Sequence, residues 1–430
     1  MTTEKAFGPH PLKMHSYREL PTGAIAIGIH DDMMRTGNWR VFRPVFKTKI
    51  PPCSEACPAG VDIRGFISLM KQGRFLEAHT LYTEENPFPA ICGRVCYHPC
   101  EASCNRKDFD QAVGINATER FLADFNMPIS KVSPVSGKQV AVIGSGPAGM
   151  SCSHYLARLG HRVTIFESLD VVGGLLRTAI PDYRLPVEIV EKEVEKLRGL
   201  GIEFRTNHPI NRETWKDLEE FDAVSLSYGA SDQTPLPFDS NIGTDQKVIS
   251  GLDFLKAVKL GEKISLGRRV VVVGGGNTAI DAARVSMRLG ASPTILYRRG
   301  KEEMPAFKNE IEDALDEGVQ ILFLTSPVGL DKGESGLKVK CLKNSLTEID
   351  ESGRPRPVPI EGSDFYIDAD SVISAIGEVS DLSILPGEIE IANQSVVVDE
   401  LGSTGVPRVF ACGDLTGQSR TVVHAIGSGK

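Results

Sequence analysis

Short apolar runs in this chain alternate with stretches of helical spacing, and one such alternation occurs twice. Residues 140–143 predict a buried strand, 150–159 a helix with one apolar face, and 161–166 a second strand. The same order returns with a strand at 269–273, a helix at 280–289 and a strand at 293–296. Residues 187–200 read as an amphipathic helix, 221–228 and 370–376 as buried strands, and 408–412 as a last strand before a helix that begins at Thr421. Residues 335–367 alternate apolar and polar positions around turn signals at Asp350, Gly353, Pro355, Pro357 and Pro359, as an antiparallel meander does. Nearer the start, 61–81 is helical in spacing, with Ile63, Phe66, Ile67 and Met70 on one side. Residues 1–44 carry no period and contain Gly8, Pro9, Pro11, Pro21 and Gly23, so they read as an extended arm, with Trp39 anchoring it by burial.

Both strand–helix junctions are glycine-rich turns. In Gly144-Ser145-Gly146-Pro147-Ala148-Gly149 the first glycine permits the tight turn, the second lets the backbone approach a pyrophosphate, and the third lets helix pack on strand. The pyrophosphate then meets the positive end of the helix. Glu167, closing the second strand, can accept hydrogen bonds from a ribose diol. Strand, turn, helix, strand and acid together predict a dinucleotide site. The second turn, Gly274-Gly275-Gly276-Asn277-Thr278-Ala279, is followed by Tyr297-Arg298-Arg299 where the first has its acid. An acid there selects a free 2′-hydroxyl and arginines accommodate a 2′-phosphate, so this fold reads as a nicotinamide site with NADP favoured over NAD. A solvated rim is the plain alternative for the two arginines.

Composition narrows the class. With 430 residues the chain is long enough for two to four domains, and 41% apolar and 24% charged residues are ordinary for a globular protein. A net charge of -8 disfavours nucleic acid and anionic membranes as partners. No apolar run is long enough to span a bilayer and the first residues lack the apolar core of a signal peptide, so a cytoplasmic location is expected. Six of the nine cysteines fall between Cys53 and Cys104, while Cys152, Cys341 and Cys412 stand alone. In a cytosolic chain such a cluster reads as metal binding rather than disulfides.

Cys53-Ser-Glu-Ala-Cys57-Pro58 matches the closing C-x3-C-P of a bacterial iron–sulfur run. Cys92, Cys96, Cys100 and Cys104 follow at intervals of four, and Pro99 argues for turns between them rather than one continuous helix. Structural zinc prefers C-x2-C pairs, and none occurs. Iron–sulfur is therefore the favoured reading, with zinc and unliganded buried cysteines as alternatives. The fold class expected is α/β: two nested Rossmann-like dinucleotide-binding domains, for FAD and NAD(P), preceded by a helical iron–sulfur domain. The division is 1–44 arm, 45–137 helical 4Fe–4S domain, 138–235 with 368–430 FAD domain, and 236–367 NAD(P) domain. Such a layout lets nicotinamide and flavin face each other, and a cluster converts two-electron into one-electron chemistry.

From about residue 45 onward the chain resembles the NAD(P)H-dependent flavin and iron–sulfur oxidoreductases typified by the small subunit of bacterial glutamate synthase. The electron-entry half of dihydropyrimidine dehydrogenase belongs to the same group. The resemblance rests on CPAGVDI, NPFPAICGRVC, CEASC, VIGSGPAG, GGLL with IPDYRLP, GGGNTAID, YRR with EMPA, AIGE, and FACGD with TVVHAIGSGK. It implies FAD bound by Gly144, Gly146, Gly149, Glu167, Gly174, Leu175, Gly413 and Asp414, with the turn carrying Val423 and Ala425 at the flavin pyrimidine end. It implies NAD(P) on Gly276, Asn277, Thr278, Arg298 and Arg299. One 4Fe–4S cluster would use Cys57, Cys96, Cys100 and Glu119, and a second would use Cys53 and Cys104.

Full members carry a further C-x2-C pair before Cys53, and this chain has none, so the second cluster has two obvious ligands and Cys92 as a third candidate. The tight C-x3-C-x3-C spacing is similar to a sub-branch that includes the NAD(P)H:acceptor oxidoreductase associated with dissimilatory sulfite reductase. Arg184 and Glu378 are candidates for polarising flavin or positioning nicotinamide. The expected partner is an electron-transfer protein or an appended ferredoxin domain, in a homo-oligomer or larger complex. The last helix meets the end of the sequence at Lys430, which predicts that the chain is part of a longer protein. The competing readings are a glutamate synthase small subunit, a thioredoxin-reductase-like disulfide reductase, for which no C-x2-C pair exists, and a non-catalytic nucleotide-binding scaffold.

Overall fold

A computed structural model describes residues 49–125, 133–238, 247–333, 336–350 and 353–430; the expected arm at 1–44 lies outside them. Residues Pro51–Lys430 form one unit, and everything below concerns it. Its first part is helical. The stretch read as one helix over 61–81 is two, Ile63–Lys71 and Phe75–Glu85, because the chain turns at Gly73 with a left-handed φ of +73°. Asp62 caps the first of them by accepting the Gly65 N–H at 2.9 Å. Pro99 acts as expected: the helix Pro89–Val95 stops before it, and a one-turn helix, Pro99–Ala102, begins on it. Ile115–Leu122 completes this part.

These helices have no core of their own. Phe66, Phe88, Ile91 and Leu122 pack in one apolar cluster with Met150, Leu176 and Leu197 of the following fold. Fully burying side chains of this size contributes about 1.5–3 kcal/mol each, so the helical part and the first dinucleotide fold stabilise one another.

The first sheet is parallel, in the order Val409–Ala411, Ala223–Leu226, Gln139–Ile143, Arg162–Phe166, Glu203–Arg205. Its two strands Gln139–Ile143 and Arg162–Phe166 are buried from their second residue onward, as strands of a parallel sheet covered on both faces are. The second sheet, also parallel, runs Lys247–Ser250, Ser371–Ser374, Arg269–Val273, Ser292–Leu296, Gln320–Leu322. The expected meander is present as antiparallel strands Thr325–Gly333, Gly336–Ile349, Pro355–Pro359 and Phe365–Ala369.

One boundary differs from the sequence division. Ser371–Ser374, assigned with 368–430 to the first fold, hydrogen-bonds between Lys247–Ser250 and Arg269–Val273 in the second sheet. The chain returns to the first fold only after Glu378–Val379, which pairs antiparallel with the outgoing Asp232–Gln233. An apolar strand suits either parallel sheet, so its composition alone could not assign it.

Candidate functional site

Each glycine turn leaves one bare stretch of backbone. A Cβ added at Gly149 would stand 2.0 Å from the Gly144 carbonyl oxygen, whereas at Gly146 it would meet nothing within 4 Å. The third glycine is thus required for packing and the second opens onto space, the division of labour that a pyrophosphate cradle needs. Gly276 in the second turn is open in the same way.

The first turn and the Asn277–Thr278 end of the second border one cavity of about 610 Å³. Gly144, Gly146, Glu167, Gly174 and Leu175 line it from the first fold, and Asn277, Thr278 and Asp281 from the second. Gly413, Asp414, Thr421, Val422 and Ala425 close its far end. Val423, expected beside Ala425, turns its side chain into the core. The final helix, Val422–Ser428, is capped by the Thr421 hydroxyl. Burial pushes the Asp414 carboxyl up to about 6; Arg420 pulls it back and Glu378 adds to the rise.

Glu167 sits at the cavity wall but is already engaged. One of its oxygens accepts the Ser145 N–H at 3.1 Å and the Ser145 hydroxyl at 2.5 Å; the other accepts the Leu169 N–H at 2.9 Å and the Ser168 hydroxyl at 3.2 Å. Four donors occupy the roughly four lone-pair positions of a carboxylate, so a ribose diol would bond there as a serine hydroxyl turns away.

The two arginines of the second fold part company. Arg299 is 2% exposed, donates from Nε to the Pro355 carbonyl at 2.8 Å, and pairs with Asp350. It holds the meander to the nucleotide fold and does not face solvent, contrary to the expectation that both would serve a 2′-phosphate. Arg298 is exposed and lies in the fields of Arg299 and Arg354.

Arg184 and Glu378 are likewise bound to protein partners. Arg184 donates from Nη1 to Asp281 at 2.7 Å, and its Nε lies 3.0 Å from Glu310, so a loop of the first fold is clamped to two helices of the second. Burial pushes the Asp281 carboxyl up to about 6, against the pull of Arg184. The Glu378 carboxylate accepts the Thr278 hydroxyl at 3.1 Å.

The cysteines divide by environment. Cys57, Cys96 and Cys100 lie within one another's electrostatic reach and within that of Glu119. Burial pushes the Cys96 thiol up to about 12, with Glu119 adding to the rise, and pushes Cys100 up further. Burial also pushes the Glu119 carboxyl up to about 8, against hydrogen bonds from Tyr82 and Asn116. The His98 N–H nevertheless donates to the Cys96 sulfur at 3.3 Å, and the backbone at Val61, Ala59 and Gly60 offsets part of the rise at Cys57. Buried acids that suppress one another's ionisation, yet are supplied with donors for the ionised form, suit a cationic iron centre. Among the described residues no three Cys, His, Asp or Glu side chains are gathered as they would be around a single metal ion.

Cys92, 1% exposed, lies in the fields of Glu119, Cys96 and Cys57 as well, and differs in that its sulfur accepts the Asn86 side-chain N–H at 3.3 Å. Cys53 rides on the helix Pro52–Glu55, which packs on Pro99–Ala102, the turn that leads to Cys104. The N–H of Val113, with those of Arg106 and Lys107, holds the Cys104 thiol below its ordinary pKa.

Three residues of this region were not singled out from the sequence: Asp281, though it closes the GGGNTAID motif, Phe307 and Tyr97. Phe307 lines the cavity and its N–H is held by Asn277 at 3.1 Å. Its only hint was its place directly after the EMPA motif.

Comparison with known proteins agrees with this arrangement. A family model described as pyridine nucleotide-disulphide oxidoreductase matches residues 138–429, and one described as dihydropyrimidine dehydrogenase domain II, 4Fe-4S cluster, matches 45–130. The NADP(+)-dependent formate dehydrogenase subunit beta of Moorella thermoacetica is 37% identical, over 88% of this chain and 58% of its own length. The NADPH-Fe(3+) oxidoreductase subunit beta of Geobacter sulfurreducens is 37% identical, over 88% and 62%. The glutamate synthase (NADPH) small chain of Escherichia coli is 35% identical, over 88% and 86%. The chain thus spans about three fifths of the first two relatives. In fold, FprA of Mycobacterium tuberculosis superposes with a TM-score of 0.57 at 19% identity, over 68% of this chain and 83% of that one. Among the described residues no helix is long and apolar enough to cross a membrane.

Proposed function

Because the chain belongs to the pyridine nucleotide-disulphide oxidoreductase family and carries a 4Fe–4S domain ahead of its dinucleotide folds, we propose that it passes electrons from NADPH to a protein acceptor. Within that family it is an NADPH-dependent FAD and iron–sulfur oxidoreductase. The observation that carries the proposal is the single cavity bordered by the first glycine turn and the Asn277–Thr278 end of the second, since hydride transfer needs the two dinucleotides in one enclosure. Bound FAD supplies the two-electron to one-electron conversion, and a bound cluster supplies the one-electron relay.

The chain's own residues bind and orient. The bare backbone at Gly146 and Gly276 receives the two pyrophosphates, Glu167 and Asp414 receive hydroxyl groups of the flavin dinucleotide, and Arg298 receives the 2′-phosphate. Cys57, Cys96, Cys100 and Glu119 hold the cluster, and Cys92 serves the framework. Cys53 and Cys104 are the residues a second cluster would use. No side chain has to move a proton in the hydride step, and Arg184 acts by holding the two folds together. In the narrower form of the proposal the acceptor belongs to dissimilatory sulfur metabolism; its support is the tight C-x3-C-x3-C spacing. A second reading, the small subunit of a glutamate synthase, is favoured by the 86% coverage of that relative.

Anaerobic stopped-flow absorbance tests the main reading. NADPH should bleach the flavin band, and iron should be lost in Cys96→Ser while Cys92→Ser retains it. A flavin band untouched by NADPH, or full iron in Cys96→Ser, sinks the proposal.

A further inference from the structure

Tyr97, the residue after Cys96, stands where three parts of the molecule meet. Its ring is stacked on Phe307, with centroids 5.2 Å apart and planes 4° from parallel, and lies nearly parallel to His424 at 6.1 Å and 10°. Its hydroxyl is 3.4 Å from His424 Nδ1, which is 2.8 Å from the Thr421 hydroxyl. Phe307 is tied by its N–H to Asn277 at the nicotinamide turn, and Thr421 borders the flavin end of the same cavity. One ring therefore touches side chains fixed to both dinucleotide walls.

On its other side Tyr97 is joined to a constrained turn. His98 is left-handed, with φ of +43°, a conformation that a non-glycine residue keeps only when its surroundings hold it. In that conformation the His98 N–H points at the Cys96 sulfur, 3.3 Å away. Hydrogen bonds to ligand sulfurs are among the terms that set the potential of an iron–sulfur centre. A donor there favours the reduced state, which carries more negative charge. We propose that Tyr97 is a positioning residue that couples occupancy of the dinucleotide cavity to the electron affinity of the centre held by Cys96. The inference rests on Cys96 being an iron ligand, as proposed above. A nucleotide lying over Asn277 bears on Phe307, Phe307 on Tyr97, and Tyr97 on the turn that aims the His98 N–H. Linkage is reciprocal, so reduction of the centre must change nucleotide affinity by the same factor.

The test is a spectroelectrochemical titration of the anaerobic holoprotein, with and without NADP+, in wild type, Tyr97→Phe and Tyr97→Leu. Tyr97→Leu should lower the midpoint potential by about 59 mV, a tenfold change for a one-electron centre, and abolish the shift caused by NADP+. Tyr97→Phe keeps the ring and should keep both. The NADP+ dissociation constant, measured on oxidised and reduced protein, should differ in wild type and not in Tyr97→Leu. Should Tyr97→Leu fail to fold or lose iron, Phe307→Leu removes the stacking partner and reads the same quantities. A variant with full iron, wild-type potential and an unchanged NADP+ shift overturns the coupling. Full iron in Cys96→Ser overturns the ligand assignment instead, so the two failures are distinct.

Discussion

Gly427 meets Pro58 so closely that a Cβ at 427 would stand 2.2 Å from the Pro58 carbonyl oxygen. The final helix thus touches the backbone directly after Cys57, and only a glycine lets it. Gly427→Ala must push the helix and the cysteine turn apart. Overpacking of this kind costs about 1–3 kcal/mol, and denaturant unfolding should register it. Iron content per flavin should fall as well, because the displaced backbone carries Cys57.

Arg298 and Arg299 should respond in opposite ways. Arg298→Ala should lower kcat/KM for NADPH by about ten- to a hundredfold, the value of a charge-assisted hydrogen bond to phosphate, and leave NADH almost unaffected. Arg299→Ala should spare the preference and destabilise the fold by about 1.5–3 kcal/mol, since it removes the Nε donor to the Pro355 carbonyl and the ion pair with Asp350. Steady-state kinetics with both nucleotides and an unfolding curve separate the two roles.

Breaking the Arg184 clamp should cost about 3–5 kcal/mol, because Arg184 and Asp281 are both nearly buried and Asp281 would lose the cation that hydrogen-bonds to it, keeping only the field of Arg284. Arg184→Lys should not restore it. The planar guanidinium faces Asp281 with Nη1 and Glu310 with Nε, and the compact ammonium of a lysine does not reproduce that fixed fork. Unfolding free energies of Arg184→Ala, Arg184→Lys and Asp281→Asn would check this.

The protein should lose stability in mild acid through two buried histidines. Burial holds His154 down to about 4, with Arg158 adding, and holds His79 down to about 4, with Lys196 adding. A depressed imidazole stabilises the fold fully above the unfolded value of 6.5, and the contribution disappears as pH falls towards 4. The slope is about 1.4 kcal/mol per pH unit for each group. The His154 Nε2 is buried without a hydrogen-bond partner. His154→Leu should therefore gain about 2 kcal/mol on wild type between pH 6.5 and 5. Parallel unfolding curves at the two pH values would refute the assignment.

The glycine turns were legible because their requirement is local: a strand, a bare backbone and a helix within a few residues. The cysteine cluster was legible by spacing, and Pro99 located its turns. What the sequence could not reveal was commitment to distant partners. Arg299 looks like its neighbour until the meander delivers Asp350 and Pro355. Arg184 does line the cavity, but nothing in the sequence shows that Asp281 and Glu310 also take it up. Ser371–Ser374 fits either sheet by composition, and only pairing decides. Tyr97 gave no signal at all, since its stacking partners lie more than two hundred residues away in the chain.

The nesting of the two folds has a consequence for biosynthesis. Ala223–Leu226 is an edge of the first sheet until Val409–Ala411 is made and pairs with it. During translation the second fold, whose strands lie between those two segments, can be complete on the ribosome while the first still exposes unpaired backbone. The cysteine helices, which share their core with the first fold, wait on the same event. Flavin loading and cluster insertion should therefore follow the emergence of Val409–Ala411, and a nascent chain stalled before residue 409 should bind nicotinamide nucleotide but no flavin.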